Sequence, residues 1–341
     1  VPARQKGRKM TLLDVQHVKK IYKTRFQGSQ VEALKDIHFT VEKGEYVDIM
    51  GESGSGKTTL VNMLMDLEKP TSGEILYHGR DISKFTKQEV WENRQNIQIV
   101  FQDPWSAFNP KMNVMQILTE PLMNYRRLKR SERKQKAIEL LKMVDLPEEF
   151  VTKYPQNMSG GQRQRLGIAR AISLEPEILI CDEATSALDV SIQKNIVELL
   201  VKLQKEKNIT MIFICHDIAL IESFAHEIAV MYHGEIVEIV DGGQISEKAK
   251  HPYTKSLLSA IFPVILVRVA LGMLIGIGGS VRVSISLGKG DYTGAERLIG
   301  HSYILMLIVG LLFTVVGFII IEPLLHFFGV TQQTHQYARE Y

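Results

Sequence analysis

The sequence predicts an α/β fold that carries a phosphate-binding loop and a helical subdomain, followed by a C-terminal α-helical membrane segment. Three observations carry that reading. Gly51-Glu52-Ser53-Gly54-Ser55-Gly56-Lys57-Thr58 fits the pattern G-x-x-x-x-G-K-[ST] at every fixed position. An apolar run over 177–183 ends in two carboxylates, Asp182 and Glu183. Beyond Ala260 the composition changes, and two long apolar segments appear at 261–281 and 303–321.

The bulk numbers set the frame. A length of 341 residues suggests two domains. Hydrophobic content of 45% and charged content of 23% are ordinary for a globular chain. A net charge of +3 is too small to argue for nucleic acid, and none is expected as a partner. The two cysteines, Cys181 and Cys215, lack metal-ligand spacing. They read as small buried residues of a reducing compartment. Residues 1–9 carry Arg4, Lys6, Arg8 and Lys9 without an apolar run behind them. They read as a disordered tail and not as a signal peptide.

Taken in order, residues 45–50 predict a strand and 58–66 a helix, the context the phosphate-loop pattern requires. Glycines at 51, 54 and 56 let backbone N–H groups converge on phosphate oxygens, and the helix N-terminus adds its partial positive charge. Glu52, Ser53, Ser55 and Thr59 belong to the same cradle. Lys57 can reach the β- and γ-phosphates, and the Thr58 hydroxyl can ligate Mg²⁺. Ser131 is placed to cap a helix carrying Ala137, Ile138, Leu141 and Val144. Ser159-Gly160-Gly161-Gln162 precedes a helix over 163–172, with Ser159 near its N-terminus. Asp182 suits Mg²⁺ coordination, and Glu183 is placed to polarise an attacking water. Ile192, Ile196, Leu199, Leu200 and Leu203 recur at helical spacing and predict a helix packed on the sheet.

With these motifs in order, residues 10–262 resemble the nucleotide-binding subunit of an ABC transporter, an α/β P-loop NTPase. The resemblance implies ATP and Mg²⁺ as ligands. It implies a second ATPase subunit, because Ser159, Gly160, Gly161 and Gln162 match the loop that contacts the γ-phosphate held by the partner in a homo- or heterodimer. It also implies transmembrane permease subunits and a place at the cytoplasmic face of the membrane. Gln102, in Val100-Phe101-Gln102-Asp103-Pro104, matches the glutamine that links Mg²⁺ to the membrane-domain contact. Asp189 closes Ser186-Ala187-Leu188-Asp189, which matches the D-loop. His216, after a strand over 212–215, matches the histidine that touches the γ-phosphate. Tyr22 stands where the family places an aromatic that stacks on adenine. Residues 103–160 would form the helical subdomain, whose stretch 105–124 is where family members receive a permease coupling helix.

From Phe101 onward the wording resembles peptide and nickel importer ATPases: Gln102-Asp103-Pro104 with Asn109-Pro110, Ser186 to Ser191, and His251-Pro252-Tyr253-Thr254. Earlier, Glu32-Ala33-Leu34-Lys35-Asp36-Ile37 and Pro70-Thr71-Ser72-Gly73-Glu74-Ile75 resemble exporter ATPases. The implied activity is ATP hydrolysis that energises peptide or nickel uptake. Asp48 departs from the family, which places a small apolar residue in the strand feeding the phosphate loop. An unpaired carboxylate buried there would have a raised pKa or would destabilise the strand.

The C-terminal part, 263–341, resembles two spans of a MATE-type multidrug extrusion transporter. Leu271 to Ser280, Leu287-Gly288-Lys289-Gly290-Asp291 and Ala295-Glu296-Arg297 carry the likeness. Residues 303–321 contain no charge and, at ~1.5 Å per residue, nearly span a ~30 Å hydrocarbon core. Residues 261–281 are apolar apart from Arg268, and Gly272 and Gly276 form a small-x-x-x-small helix contact. A cytosolic ATPase puts the loop 282–302 outside, whereas Arg282, Lys289 and Arg297 favour inside. The chain therefore reads as a composite. Two other readings are a membrane-anchored nucleotide-binding protein without transport activity and a fragment of an extrusion transporter.

Overall fold

The computed structural model describes residues 11–23, 30–125, 128–184, 188–215, 221, 224–259 and 284. The chain divides into two compact units, Val1–Lys248 and Ala249–Tyr341. Of the second unit, the described residues are a helix at Pro252–Ser259 with its lead-in, and Ser284. Both apolar segments expected to span a membrane, and the loop between them, otherwise lie outside the described residues. No described helix is long and apolar enough to cross a membrane.

In the first unit, strands β1 (Thr11–Lys23), β2 (Gln30–Glu42), β4 (Ser72–Tyr77) and β5 (Arg80–Asp81) form an antiparallel sheet in the order β2-β1-β4-β5. A second sheet has the order β10-β9-β3-β8-β7-β6. Its strands are β3 (Tyr46–Met50), β6 (Ile97–Val100), β7 (Ile178–Asp182), β8 (Thr210–Ile214), β9 (Glu227–Tyr232) and β10 (Glu235–Asp241). All pairings in it are parallel except β9 with β10. Parallel strands need helical crossovers, so their residues are covered on both faces. All five residues of β3 and of β8 are accordingly buried.

Alternation along the strands sets two cores. One face of the parallel sheet, with Val47, Ile49, Ile180, Ile212 and Ile214, joins Leu60, Met63 and Leu64 of helix α1 (Lys57–Leu64). Val15, Val18, Ile37 and Phe39 of the antiparallel sheet close the same core. On the other face, the ring of Tyr46 stacks on Phe213 at 5.5 Å and meets Phe224 edge-on at 4.8 Å. Asp48 shares that face and is completely buried.

Helix α2 (Lys87–Asn96) opens with a capping box between Thr86 and Glu89 and leads into β6. The helical subdomain follows, with α3 (Val114–Tyr125), α4 (Arg133–Met143) and α5 (Gly160–Ile172). Ile117, Leu118, Leu140, Leu141 and Leu166 supply its buried faces. Ser131 does not cap α4. The N-cap is Glu132, in a helical conformation without a side-chain cap bond, and its carboxylate accepts from the Lys129 N–H instead. Helix α6 (Val190–Lys207) buries Ile196, Leu199, Leu200 and Leu203 as their spacing predicts. Ile192 lies half-buried against Gly161 of α5. Helix α7 (Ile245–Lys248) ends the unit, and the Pro252–Ser259 helix is α8.

Candidate functional site

The loop between β3 and α1 is built around glycines that no other residue could replace. Gly51 has φ +154°, and a Cβ there would lie 2.2 Å from the Met231 carbonyl oxygen. Gly56 has φ +105°, and its Cβ would lie 2.7 Å from the Ala33 carbonyl oxygen. The loop is thus clamped between β9 and β2, and Gly234 N–H donates to the Ser55 carbonyl at 3.0 Å. Ser53, Gly54 and Thr58 remain exposed.

Lys57 is only 6% exposed. Its ammonium donates to the carbonyls of Gly51 at 2.6 Å and Glu52 at 2.7 Å. The side chain therefore curls back over its own loop. Burial lowers its pKa, opposed by the nearby charges of Glu183 first, then Asp182 and Glu52. A cation held over converging backbone dipoles, with carboxylates in range, is an anion site whose counter-charge is already in place. The residues present fit a nucleotide phosphate chain. Thr58, Gln102 and Asp182 offer the oxygen donors that Mg²⁺ prefers.

Asp182 ends β7, opposite Ile214 of β8, and Glu183 follows it. The Glu183 N–H donates to the Ile214 carbonyl at 3.0 Å, which pins the carboxylate's backbone to the end of β8. Glu183 sits at φ +47°. Among the described non-glycine residues with positive φ, it and Glu175 alone are not Asn, Asp or His, the types that tolerate this region. Such a conformation costs of order 1–3 kcal/mol and gathers at functional sites.

Gln102 is exposed just beyond β6. Its loop is tied to α5 by Gln164, whose amide donates to the Phe101 carbonyl at 3.3 Å. Pro104 backs onto Gly167, where a Cβ would lie 3.1 Å away. Sequence reasoning missed Gln164. Its signal was a glutamine on the helix face that also carries Ile168 and Ile172. At the other end of α5, Ser159 and Gln162 form a reciprocal capping box. Ser159 and Gly160 are exposed, and Gly161 is pressed against Ile192. Asp189 stands exposed at the N-cap of α6.

The Tyr22 hydroxyl donates to Glu68 at 2.6 Å, Lys20 lies over its ring, and the Thr59 side chain is within its reach. That brings the expected aromatic beside α1. Among the remaining expected site residues, His216 lies outside the described residues, as do Ser186 and Ala187. Cys181 and Cys215 form no disulfide and are buried, and burial with Asp182 nearby pushes the Cys181 thiol up. Asp48 meets the expectation stated for it. Neither carboxylate oxygen has a hydrogen-bond partner, and burial pushes its pKa well up despite the charge of Lys57.

Comparison with known proteins gives the same partition. A family profile described as ABC transporter matches residues 34–186, and one described as MatE matches 256–341. A probable peptide ABC transporter ATP-binding protein, y4tS of Sinorhizobium fredii, is 49% identical over 67% of this chain. The chain spans 65% of that relative's length. The oligopeptide transport ATP-binding protein OppF of Bacillus subtilis is 42% identical over 73% of this chain and 82% of its own. Among solved structures, a dimeric post-hydrolysis state of the ATP-binding cassette MJ0796 bound to ADP and Pi superposes with a TM-score of 0.62. It is 33% identical and covers 67% of this chain and 98% of its own. A loop that cradles anions after β3, an acid pair at the end of β7 in the same sheet and this agreement lead to one family: the chain belongs to the ATP-binding proteins of ABC transporters.

Proposed function

We propose that residues 10–262 form the ATP-binding and ATP-hydrolysing subunit that energises peptide or oligopeptide uptake, working as a dimer at the cytoplasmic face of the membrane. The observation that carries this reading is Lys57, folded onto the carbonyls of Gly51 and Glu52 within range of the Asp182 and Glu183 charges. The phosphate chain replaces those two carbonyls as the partner of the ammonium. The loop N–H groups and the α1 N-terminus hold the β- and γ-phosphates. Thr58, Gln102 and Asp182 would hold Mg²⁺, which supplies neutralisation of the charge that develops on the phosphates. Glu183 accepts the proton of the attacking water, and His216 positions the γ-phosphate. Ser159 to Gln162 and Asp189 serve the partner's nucleotide, and the exposure of Ser159, Gly160 and Asp189 supports that assignment.

The permease would dock in the hollow of about 430 Å³ lined by Phe101, Pro104, Phe108, Pro121 and Tyr125, with Arg170 and Glu120 paired at 3.1 Å in its wall. The Gln102 loop forms one side of it, so docking and Mg²⁺ coordination share one segment. The match of 256–341 to MatE and the apolar runs at 261–281 and 303–321 support membrane insertion of the C-terminal part. The same match favours a second reading, a composite protein that binds nucleotide without transporting.

The test is Mg²⁺-dependent ATP hydrolysis by the purified chain in mild detergent, beside Glu183→Gln. Loss of the base should slow turnover by about 10²–10⁴-fold while ATP binding persists and a dimer accumulates. Equal turnover in the two proteins would remove Glu183 from this role. Binding without turnover in the parent would select the second reading.

A further inference from the structure

We infer that His17, Asp36 and His38 form a surface site for a divalent late transition-metal ion of the Zn²⁺ type, separate from the nucleotide loop. Strands β1 and β2 pair Val15 with Phe39 and Val18 with Ile37. Two residues of β1, Gln16 and His17, therefore oppose the single residue His38, which is a β-bulge. Val15, Val18 and Ile37 are buried in the core. The bulge turns His17 outward, at φ +49°, onto the solvent face that Asp36 and His38 share by alternation.

The bulge is held from its other side. Gly73 of β4 approaches so closely that a Cβ there would lie 2.2 Å from the His17 carbonyl oxygen. The His17 Nδ1 lies 2.8 Å from Asp36 Oδ1, and the two imidazole rings are 5.7 Å apart between centroids. One donor atom from each of the three residues lies within 4.8 Å of the others. Metal–nitrogen bonds of ~2.0–2.1 Å put tetrahedral donors ~3.3 Å apart, so the site closes by an ångström or so of side-chain rotation. All three side chains are exposed and free to make that movement. Two imidazoles and one carboxylate suit Zn²⁺, Ni²⁺ or Cu²⁺ and do not suit Mg²⁺. An ion held there would tie β1 to β2 across the bulge.

The test is a Zn²⁺ titration of the full chain in mild detergent, nucleotide-free and near neutral pH, against a chromophoric chelator. The parent should take up Zn²⁺ saturably in the presence of excess Mg²⁺. Separate His17→Asn, Asp36→Asn and His38→Gln substitutions should each weaken that uptake at least about tenfold. These positions are exposed, and an unchanged far-ultraviolet circular dichroism spectrum would separate lost binding from lost folding. Uptake that is absent in the parent, displaced by Mg²⁺, or undiminished in all three variants would overturn the inference.

Discussion

Asp48→Val should stabilise this protein, and the gain should grow with pH. The carboxylate sits in the middle of β3 with no solvent exposure and no hydrogen-bond partner on either oxygen. Its neighbours across the sheet are Phe213 and Ile228. Burying an unpartnered polar group costs about 1–3 kcal/mol by mutational measures. Valine is similar in size, carries no polar atoms and suits a strand. Burial raises the folded pKa, so the native state keeps a proton that the unfolded chain releases above about pH 3.9. The parent's stability should therefore fall as pH rises from that point towards the raised folded pKa, at about 1.4 kcal/mol per pH unit for this group alone. Asp48→Val removes that slope. The assay is thermal unfolding of both proteins at a series of pH values, with the difference between their midpoints plotted against pH. Each kcal/mol is worth roughly 2–4 °C in a domain of this size. A neutral acid lends Lys57 no charge, so ATP affinity should stay within about twofold. A difference independent of pH, or a variant that melts lower and loses ATP, would mean that Asp48 is ionised and serves Lys57. That result would refute the reasoning.

Two further substitutions probe the frame around the site. In Gly161→Ala the new Cβ would lie 2.8 Å from Ile192 Cγ2, a stiff β-branched methyl. Overpacking of about 1–3 kcal/mol should lower the melting midpoint, and hydrolysis should fall because Ser159 and Gly160 move with the helix end. Unchanged melting and turnover would show that α5 and α6 can part freely. In Tyr77→Phe, Glu177 loses the hydroxyl donor at 2.7 Å. Burial would raise Glu177, yet the hydrogen bonds from Tyr77 and His78 hold its pKa below the ordinary value. A depressed carboxylate pKa stabilises the fold above the unfolded pKa and loses that contribution as pH falls through the folded one. The variant should thus lose about 0.5–1.5 kcal/mol near neutrality and less in acid, read by denaturant unfolding at two pH values. An equal loss at both would point to packing alone.

What the sequence made legible followed from local rules. The phosphate loop, the strand before it and the helix after it are fixed by glycine geometry and by period, and they fall within two residues of expectation. The buried face of α6 follows from the spacing of Ile196, Leu199, Leu200 and Leu203. Asp48 stood out because a charge interrupted an apolar strand. What stayed hidden depends on distant chain. No local pattern says that Gly51 is tight because Met231 passes over it, or that Gln164 reaches Phe101. The His17 bulge needs the register of β1 against β2 and the approach of Gly73. Ser131 misled because a serine before a helix is a good cap in general, whereas here Glu132 takes the position and its carboxylate turns to Lys129.

The split between the two family matches has its own consequence for topology. If the segments at 261–281 and 303–321 both insert, and the ATPase part lies in the cytosol, the intervening residues must face outside. Arg282, Lys289 and Arg297 oppose that, because basic residues in short loops hold those loops inside. The two demands cannot both be met by two spans. A single cysteine introduced by Thr293→Cys decides between them, because the native thiols Cys181 and Cys215 are buried and their reactivity is low in the folded protein. In intact cells, a membrane-impermeant maleimide should fail to label Thr293→Cys if the basic loop prevails, and labelling should appear after permeabilisation. Protection would mean that at most one segment spans or that neither does, and the C-terminal part would then be a passenger on a working ATPase. Prompt labelling from outside would mean that the hydrophobic segments override the basic residues, and the ATP-binding part would be tethered to the membrane by its own chain.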